Sequence, residues 1–303
     1  LRLLSRDGKV FKMKQKLTAS DVTVVTVSYN SSTVLPAMLS SLPDETAVVI
    51  VDNAGNDAEQ LSALASKHNA NLITNATNRG FGVACNIGAK EATTPLLLFL
   101  NPDAALSDGC LDALLEAFDT YPRAGAFVPN VRDGKGRPAF RRRSRLLARQ
   151  DWWSGPPPTQ DTEVPMLNGA AVFVTRDSFD SVDGFDEAIF LFHEDDDLSM
   201  RIAASCGPLQ FVHGAVVNHS EGDSTVRSPA VAAFKAHHMA QSAIYTMRKH
   251  NRPNAFIRVF IHALMQMVSP LNLLSKRKRA KHLGFIQGAL NFAATEPKIP
   301  GNR

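Results

Sequence analysis

The sequence predicts an α/β fold, a mostly parallel sheet with helices on both faces, followed by a C-terminal helical extension. Three observations predict it. The first half alternates short β-branched or leucine-rich runs with amphipathic segments. Those runs are dominated by hydrophobic and β-branched residues, as strands covered on both faces are. After Pro229 the pattern is helical.

Taken in order, residues 22–27 form a β-branched strand that stops at Ser28-Tyr29-Asn30. Residues 33–42 read as helix, 47–51 as a second strand and 59–68 as a second helix. A short strand at 71–74, a helix at 81–91 and a fully apolar strand at 96–100 follow. An amphipathic helix at 111–121 and a strand at 125–128 close the alternation. Ligands of such sheets bind at the carboxyl ends of the strands. Asn30, Asp52, Asn101 and Asp103 fall there.

Residues 132–160 break the pattern. They hold Arg141-Arg142-Arg143-Ser144-Arg145, both tryptophans and three consecutive prolines. This reads as a mobile basic loop over the sheet. Regular structure resumes at 167–175, with a helix at 197–204 and a strand at 209–217. Helices follow at 231–249 and 256–268, then the basic run Lys276-Arg277-Lys278-Arg279 and a last helix near 283–292. The expected boundaries are an N-terminal extension over 1–20, a main domain over 21–228 and a helical region over 229–303. Met13 is a candidate native start.

The 303 residues suffice for one large domain with an appendage. Three cysteines without CxxC spacing argue against a disulfide framework or a structural zinc site, and for a reducing, cytoplasmic setting. The first sixteen residues lack the apolar core of a signal peptide. No window has the roughly 18–20 apolar residues of a spanning helix. A net charge of +4 suits anionic partners without choosing among nucleotides, lipid headgroups and nucleic acid. Nucleic acid ranks last, because the basic runs lack interleaved aromatics.

Several clusters carry chemistry. Asp52 follows its strand directly, where an acid can accept from a ribose hydroxyl or a base N–H; a loop or helix cap is the alternative. Asn78-Arg79-Gly80-Phe81-Gly82 opens a helix whose N–H groups can meet phosphate. It is not a dinucleotide fingerprint, since Cys85 stands where a third glycine belongs. Asn101-Pro102-Asp103 ends an apolar strand and suits a hard cation shared with a diphosphate, or a helix-start turn. His193 precedes Glu194-Asp195-Asp196-Asp197, four acids beside a helix. A charged cap explains them; so does a partly buried base whose neighbours raise its pKa. His219 ends a strand before a Ser/Gly loop.

In order and spacing these pieces resemble the inverting family-two glycosyltransferases of GT-A fold, most closely bacterial rhamnosyltransferases. The resemblance runs from about Val22 to Ser224 and also rests on Val51-Asp52-Asn53, Asn168-Gly169-Ala170, Gly184-Phe185-Asp186-Glu187 and His219 with Gly222 and Ser224. It implies a GT-A-type, Rossmann-like sheet. It implies Asp195 as catalytic base with Glu194 beside it. Ser28, Asn30, Asp52, Asn78, Arg79, Gly80 and Asn101 would line the nucleotide site. Asp103 and His219 would hold a divalent metal, Mg²⁺ or Mn²⁺. Asn168, Gly169, Ala170 and Arg201 would border sugar and acceptor. The implied donor is a nucleotide-diphosphate sugar, dTDP-rhamnose as first guess. The implied acceptor is a glycan or a polyprenyl-diphosphate-linked saccharide, in cell-envelope polysaccharide synthesis. Asn101 departs from the usual Asp-X-Asp, weakens one end of the metal site and leaves a second reading: a catalytically inactive homologue acting as a binding or scaffold protein.

The tail has three readings. The apolar helix at 256–268, with Arg252, Arg258 and the 276–281 basic cluster, can lie in an anionic membrane interface as a peripheral contact. It can pack on the domain with a solvated basic loop beside it. It can form a homodimer interface.

Overall fold

The structure is a computed structural model describing residues 16–220, 228–267 and 275–295. Gly222, Ser224 and Val268 lie outside them, as does the N-terminal extension up to residue 15.

The strands are β1 (Val22–Ser28), β2 (Ala47–Asp52), β3 (Asn71–Thr74), β4 (Leu96–Leu100), β5 (Ala104–Leu106), β6 (Ala126–Asp133), β7 (Thr162–Val164), β8 (Ala171–Thr175) and β9 (Leu209–His219). The helices are α1 (Leu35–Ser40), α2 (Ala58–Lys67), α3 (Phe81–Glu91), α4 (Cys110–Thr120), α5 (Arg176–Ser181), α6 (Glu194–Ser205), α7 (Pro229–Lys249), α8 (Ala255–Met267) and α9 (Lys276–Thr295). One sheet runs β3-β2-β1-β4-β8-β6-β9-β5, and β7 pairs with β9. Its first four strands are parallel. β8 runs antiparallel to β4 and β6, and β6 is parallel to β9.

The period-two geometry of a strand explains the continuous apolar runs. In β4, Leu96, Leu98 and Leu100 pack on one face with Leu35, Leu61 and Leu114 from α1, α2 and α4. Leu97 and Phe99 pack on the other with Ala84 and Cys85 of α3 and Leu198 of α6. A third core joins Ala240, Ile244 and Met247 of α7 to Val259 of α8 and Phe285 and Ala289 of α9.

Three elements go beyond the sequence expectation: β5, β7 and α5. Each spans only three to six residues. The basic run 276–279 was expected ahead of the last helix; it forms that helix's first turn. The loop after β6 is tied down by Arg141, as follows.

Candidate active site

A cleft of about 440 Å³ opens at the carboxyl ends of β1, β2 and β4. Tyr29, Asn53, Asn78, Gly80, Asn101 and Asp103 line it, together with Phe190, Phe234 and Lys235.

Asn53 organises the β2 side of the cleft. Its Nδ2 donates to Asn78 Oδ1 at 3.0 Å and to Gly80 O at 3.1 Å. Its Oδ1 accepts from Asn75 Nδ2 and from the Arg79 backbone N. Buried and fully used, Asn53 fixes the turn that starts α3. Gly80 sits at φ +86°, and a Cβ there would lie 2.3 Å from Phe190 O; only glycine fits. The Arg79 side chain is exposed.

Ser28 and Asp52 lie beneath this layer. Asp52 is buried and accepts from Gly55 N at 2.9 Å. The Ser28 hydroxyl is buried without a protein partner. Asn30, at φ +57°, accepts from Asn56 N at 2.7 Å. All three shape the loops at the strand ends, and none of them lines the cleft.

The two residues expected at a metal site, Asp103 and His219, converge with Asn101. His219 Nε2 is 3.1 Å from Asp103 Oδ1 and 3.5 Å from Asn101 Nδ2. They come from the ends of β4 and β9, which β5 holds together by pairing Ala104 with His219. No third His, Cys, Asp or Glu completes a cluster among the described residues. One carboxylate, one imidazole and an open cleft suit a divalent cation that takes its other ligands from a diphosphate.

The acid cluster lies behind the cleft. Phe192 and His193 both adopt φ +66°, a sharp elbow that starts α6 at Glu194. Asp195 Oδ2 accepts from Arg141 Nη1 at 2.8 Å and from Gly169 N at 3.2 Å. Ala170 O accepts from Asn101 N at 3.0 Å. Two adjacent residues, Gly169 and Ala170, therefore bridge Asn101 to Asp195. Asn168 holds this bend through bonds to Ala139 O and Ala170 N.

Burial raises the Asp195 carboxyl, and Arg141 works against the rise. Burial and the charge of Asp195 push Glu194 up to about 8, and its Oε2 is buried without a hydrogen bond. Burial also opposes the charged form of Asp196, but His193 and Arg141 outweigh it and hold Asp196 low. The four acids thus divide: two resist ionisation and two stay charged.

Asp197 is taken up by ion pairs. It is fully buried and meets Arg201 Nε at 2.7 Å, and Lys249 Nζ and His250 Nε2 at 2.8 Å. Arg201 also donates to the Val182 and Gly184 carbonyls. Arg201, expected beside sugar and acceptor, ties α6 to the loop before it. Asp186 likewise anchors α7 through Lys249 and Tyr245.

The sequence profile of glycosyl transferase family 2 matches residues 23–182, just over half of the chain. This chain belongs to glycosyl transferase family 2. An N-acetylglucosaminyl-diphospho-decaprenol L-rhamnosyltransferase of Mycobacterium tuberculosis is 30% identical over 88% of this chain and 97% of its own. Solved structures share the fold at low identity. Staphylococcus aureus TarS 1–349 matches at 16% identity and TM-score 0.53, covering 90% of this chain and 91% of TarS. GalNAc-T7 with UDP, GalNAc and Mn²⁺ matches at 17% and 0.63, covering 99% and 61%. The mannosyltransferase of Pyrobaculum calidifontis, with GDP-Man and Mn²⁺, matches at 16% and 0.53, covering 92% and 88%. The family-two chain is a glycosyltransferase with a GT-A-type sheet and a helical C-terminal part. None of its described helices is long and apolar enough to cross a membrane.

Asn53 and Arg141 carry as much of this geometry as any residue singled out beforehand. Asn53 stood beside Asp52 in the same strand-end motif. Arg141 stood in the basic loop, with no local signal of its partner.

Proposed function

We propose that this glycosyltransferase transfers a sugar from a nucleoside diphosphate to an acceptor hydroxyl with inversion, and that Asp195 is the base. The observation that carries the reading is the Asn101–Ala170 and Gly169–Asp195 bridge, which links a buried carboxylate to the cleft where a diphosphate fits. Asp195 takes the proton of the acceptor hydroxyl. The oxygen forms its bond to the anomeric carbon as the bond to the diphosphate breaks, and the diphosphate leaves with the electron pair. One displacement inverts the centre. Asp103 and His219 would hold a divalent cation, which neutralises charge on the leaving diphosphate when bound. Asn53, Asn78 and Gly80 present the turn that meets the nucleotide, over Ser28, Asn30 and Asp52.

The donor is dTDP-rhamnose and the acceptor a lipid-linked diphospho-saccharide. The mycobacterial relative supports the rhamnosyl group and the acceptor, since its name specifies an L-rhamnosyltransferase and an N-acetylglucosaminyl-diphospho-decaprenol; the thymidine base rests on the family resemblance. A peripheral membrane position follows from such an acceptor. Ile257, Ile261, Leu264 and Met265 of α8 support it, being 45–63% exposed.

Calorimetry with dTDP, UDP and GDP, each with and without Mn²⁺ or Mg²⁺, tests the reading. Metal-enhanced binding of dTDP supports it. Preference for another base moves the donor, and failure of all three removes the transferase mechanism.

A further inference from the structure

We propose that a basic groove beside α8 binds the diphosphate of the lipid-linked acceptor, with the hydrocarbon chain laid along the exposed strip of that helix. The inference rests on the lipid-linked acceptor proposed above and adds where that acceptor sits.

The groove, of about 610 Å³, lies between the loop after β6 and α8. Arg143, Arg145 and Arg149 line it from the loop and Arg258 from α8, with no acidic side chain among the described lining residues. Four guanidiniums stay charged at any working pH and repel one another. Burial and the nearby Arg258 charge act against the charged form of Arg145, and the charge of Asp196 offsets them only in part. Such a cluster is relieved by an anion with several acceptor oxygens, and a diphosphate offers them to paired N–H edges. Arg143 and Arg149 lie over the Trp152 ring, 5.3 and 6.0 Å from its centroid. Stacking fixes a guanidinium plane and leaves its edge for an anion.

The apolar half fits a prenyl chain. Ile257, Ile261, Leu264 and Met265 recur on one helical face, are 53%, 49%, 45% and 63% exposed, and two of them line the groove. The polar half reaches the acids. Ser144 lines the groove and is among the groups that hold the Asp196 carboxyl low, next to Asp195. A diphosphate held here leaves the sugar it carries beside the proposed base.

Flotation of the full chain with three vesicle types tests this: phosphatidylcholine alone, phosphatidylcholine carrying a polyprenyl diphosphate, and phosphatidylcholine with phosphatidylglycerol at matched surface charge. The variant Arg143→Gln/Arg258→Gln alters two exposed side chains, and dTDP binding with Mn²⁺ reports that it is folded. The expected result is selective binding to the polyprenyl-diphosphate vesicles, weakened at least about tenfold in the variant with nucleotide binding unchanged. Ile261→Ser should weaken it as well. Equal binding to phosphatidylglycerol, or unchanged binding by the double variant, overturns the proposal. Nucleotide binding without any vesicle binding also overturns it and leaves the donor reading intact. Loss of nucleotide binding by the wild type removes the donor reading, and this inference with it.

Discussion

The guanidinium of Arg141 holds the carboxylate of Asp195 at 2.8 Å across 54 positions of sequence. Arg141 also bonds Asp196, and it comes from the loop that covers the site. In a buried pocket its charge is what offsets the desolvation of Asp195. Removing it raises the Asp195 pKa further. A base must be ionised, so the rising limb of kcat/KM against pH should move to higher pH in Arg141→Gln. An unshifted limb would mean that Arg141 does not govern the ionisation of the working base.

Asp195→Asn keeps the shape and the Gly169 contact but cannot take a proton. A general base contributes about 10²- to 10⁴-fold. Transfer should fall by that range while nucleotide affinity changes little, because Asp195 does not line the cleft. Lost donor binding with residual turnover would sink the assignment.

Glu194 predicts a stability effect with a definite sign. Its carboxyl is raised from 4.5 to about 8 by burial and then by Asp195. The folded chain therefore binds a proton that the unfolded chain has released, and stability falls as pH rises between those values. Glu194→Gln removes this penalty. Urea unfolding should show the variant gaining on the wild type from pH 5 to pH 8.5; a constant difference would refute the shift.

Asp197 behaves oppositely. Burial disfavours its charge, yet His250, Arg201 and Lys249 hold the carboxyl down to about 2. Its contribution is present above the unfolded value of 3.8 and is lost as pH falls toward 2. Removing one partner of a buried ion pair costs about 3–5 kcal/mol. Lys249 keeps Asp186, so Asp197→Asn should cost about 3 kcal/mol at pH 7, near the lower end of that range. The difference should narrow at pH 3, read from the same unfolding curves.

The parallel half of the sheet was legible because β1, β2 and β4 are dense hydrophobic or β-branched runs between polar strand ends, with the short β3 beside them. The antiparallel half was less so. β5 and β7 are three residues each, and their partner, β9, lies far along the chain. The last helix begins with four basic residues, which oppose its dipole and obscure its start. Asn101, Asp103 and His219 were legible as strand ends. Arg201 was expected beside sugar and acceptor, and its spacing of four from Asp197 is that of a helical ion pair. Arg141 to Asp195 carries no such spacing, and only the fold brings them together.

Asn101 offers the last test, by gain rather than loss. Its Nδ2 lies 3.5 Å from His219 Nε2, and Asp103 is 3.1 Å from the same nitrogen. A neutral amide supplies one weak oxygen to a cation, while a carboxylate supplies charge as well as oxygen. Asn101→Asp should therefore tighten Mn²⁺ in the nucleotide complex, by about tenfold for one added carboxylate ligand. Asp103→Asn should abolish metal enhancement of nucleotide binding. Calorimetric titration of Mn²⁺ into each variant with dTDP present gives both numbers. If Asn101→Asp leaves the metal affinity unchanged, the cation does not sit between these side chains. His219 would then be a hydrogen-bond partner that holds Asp103 in place.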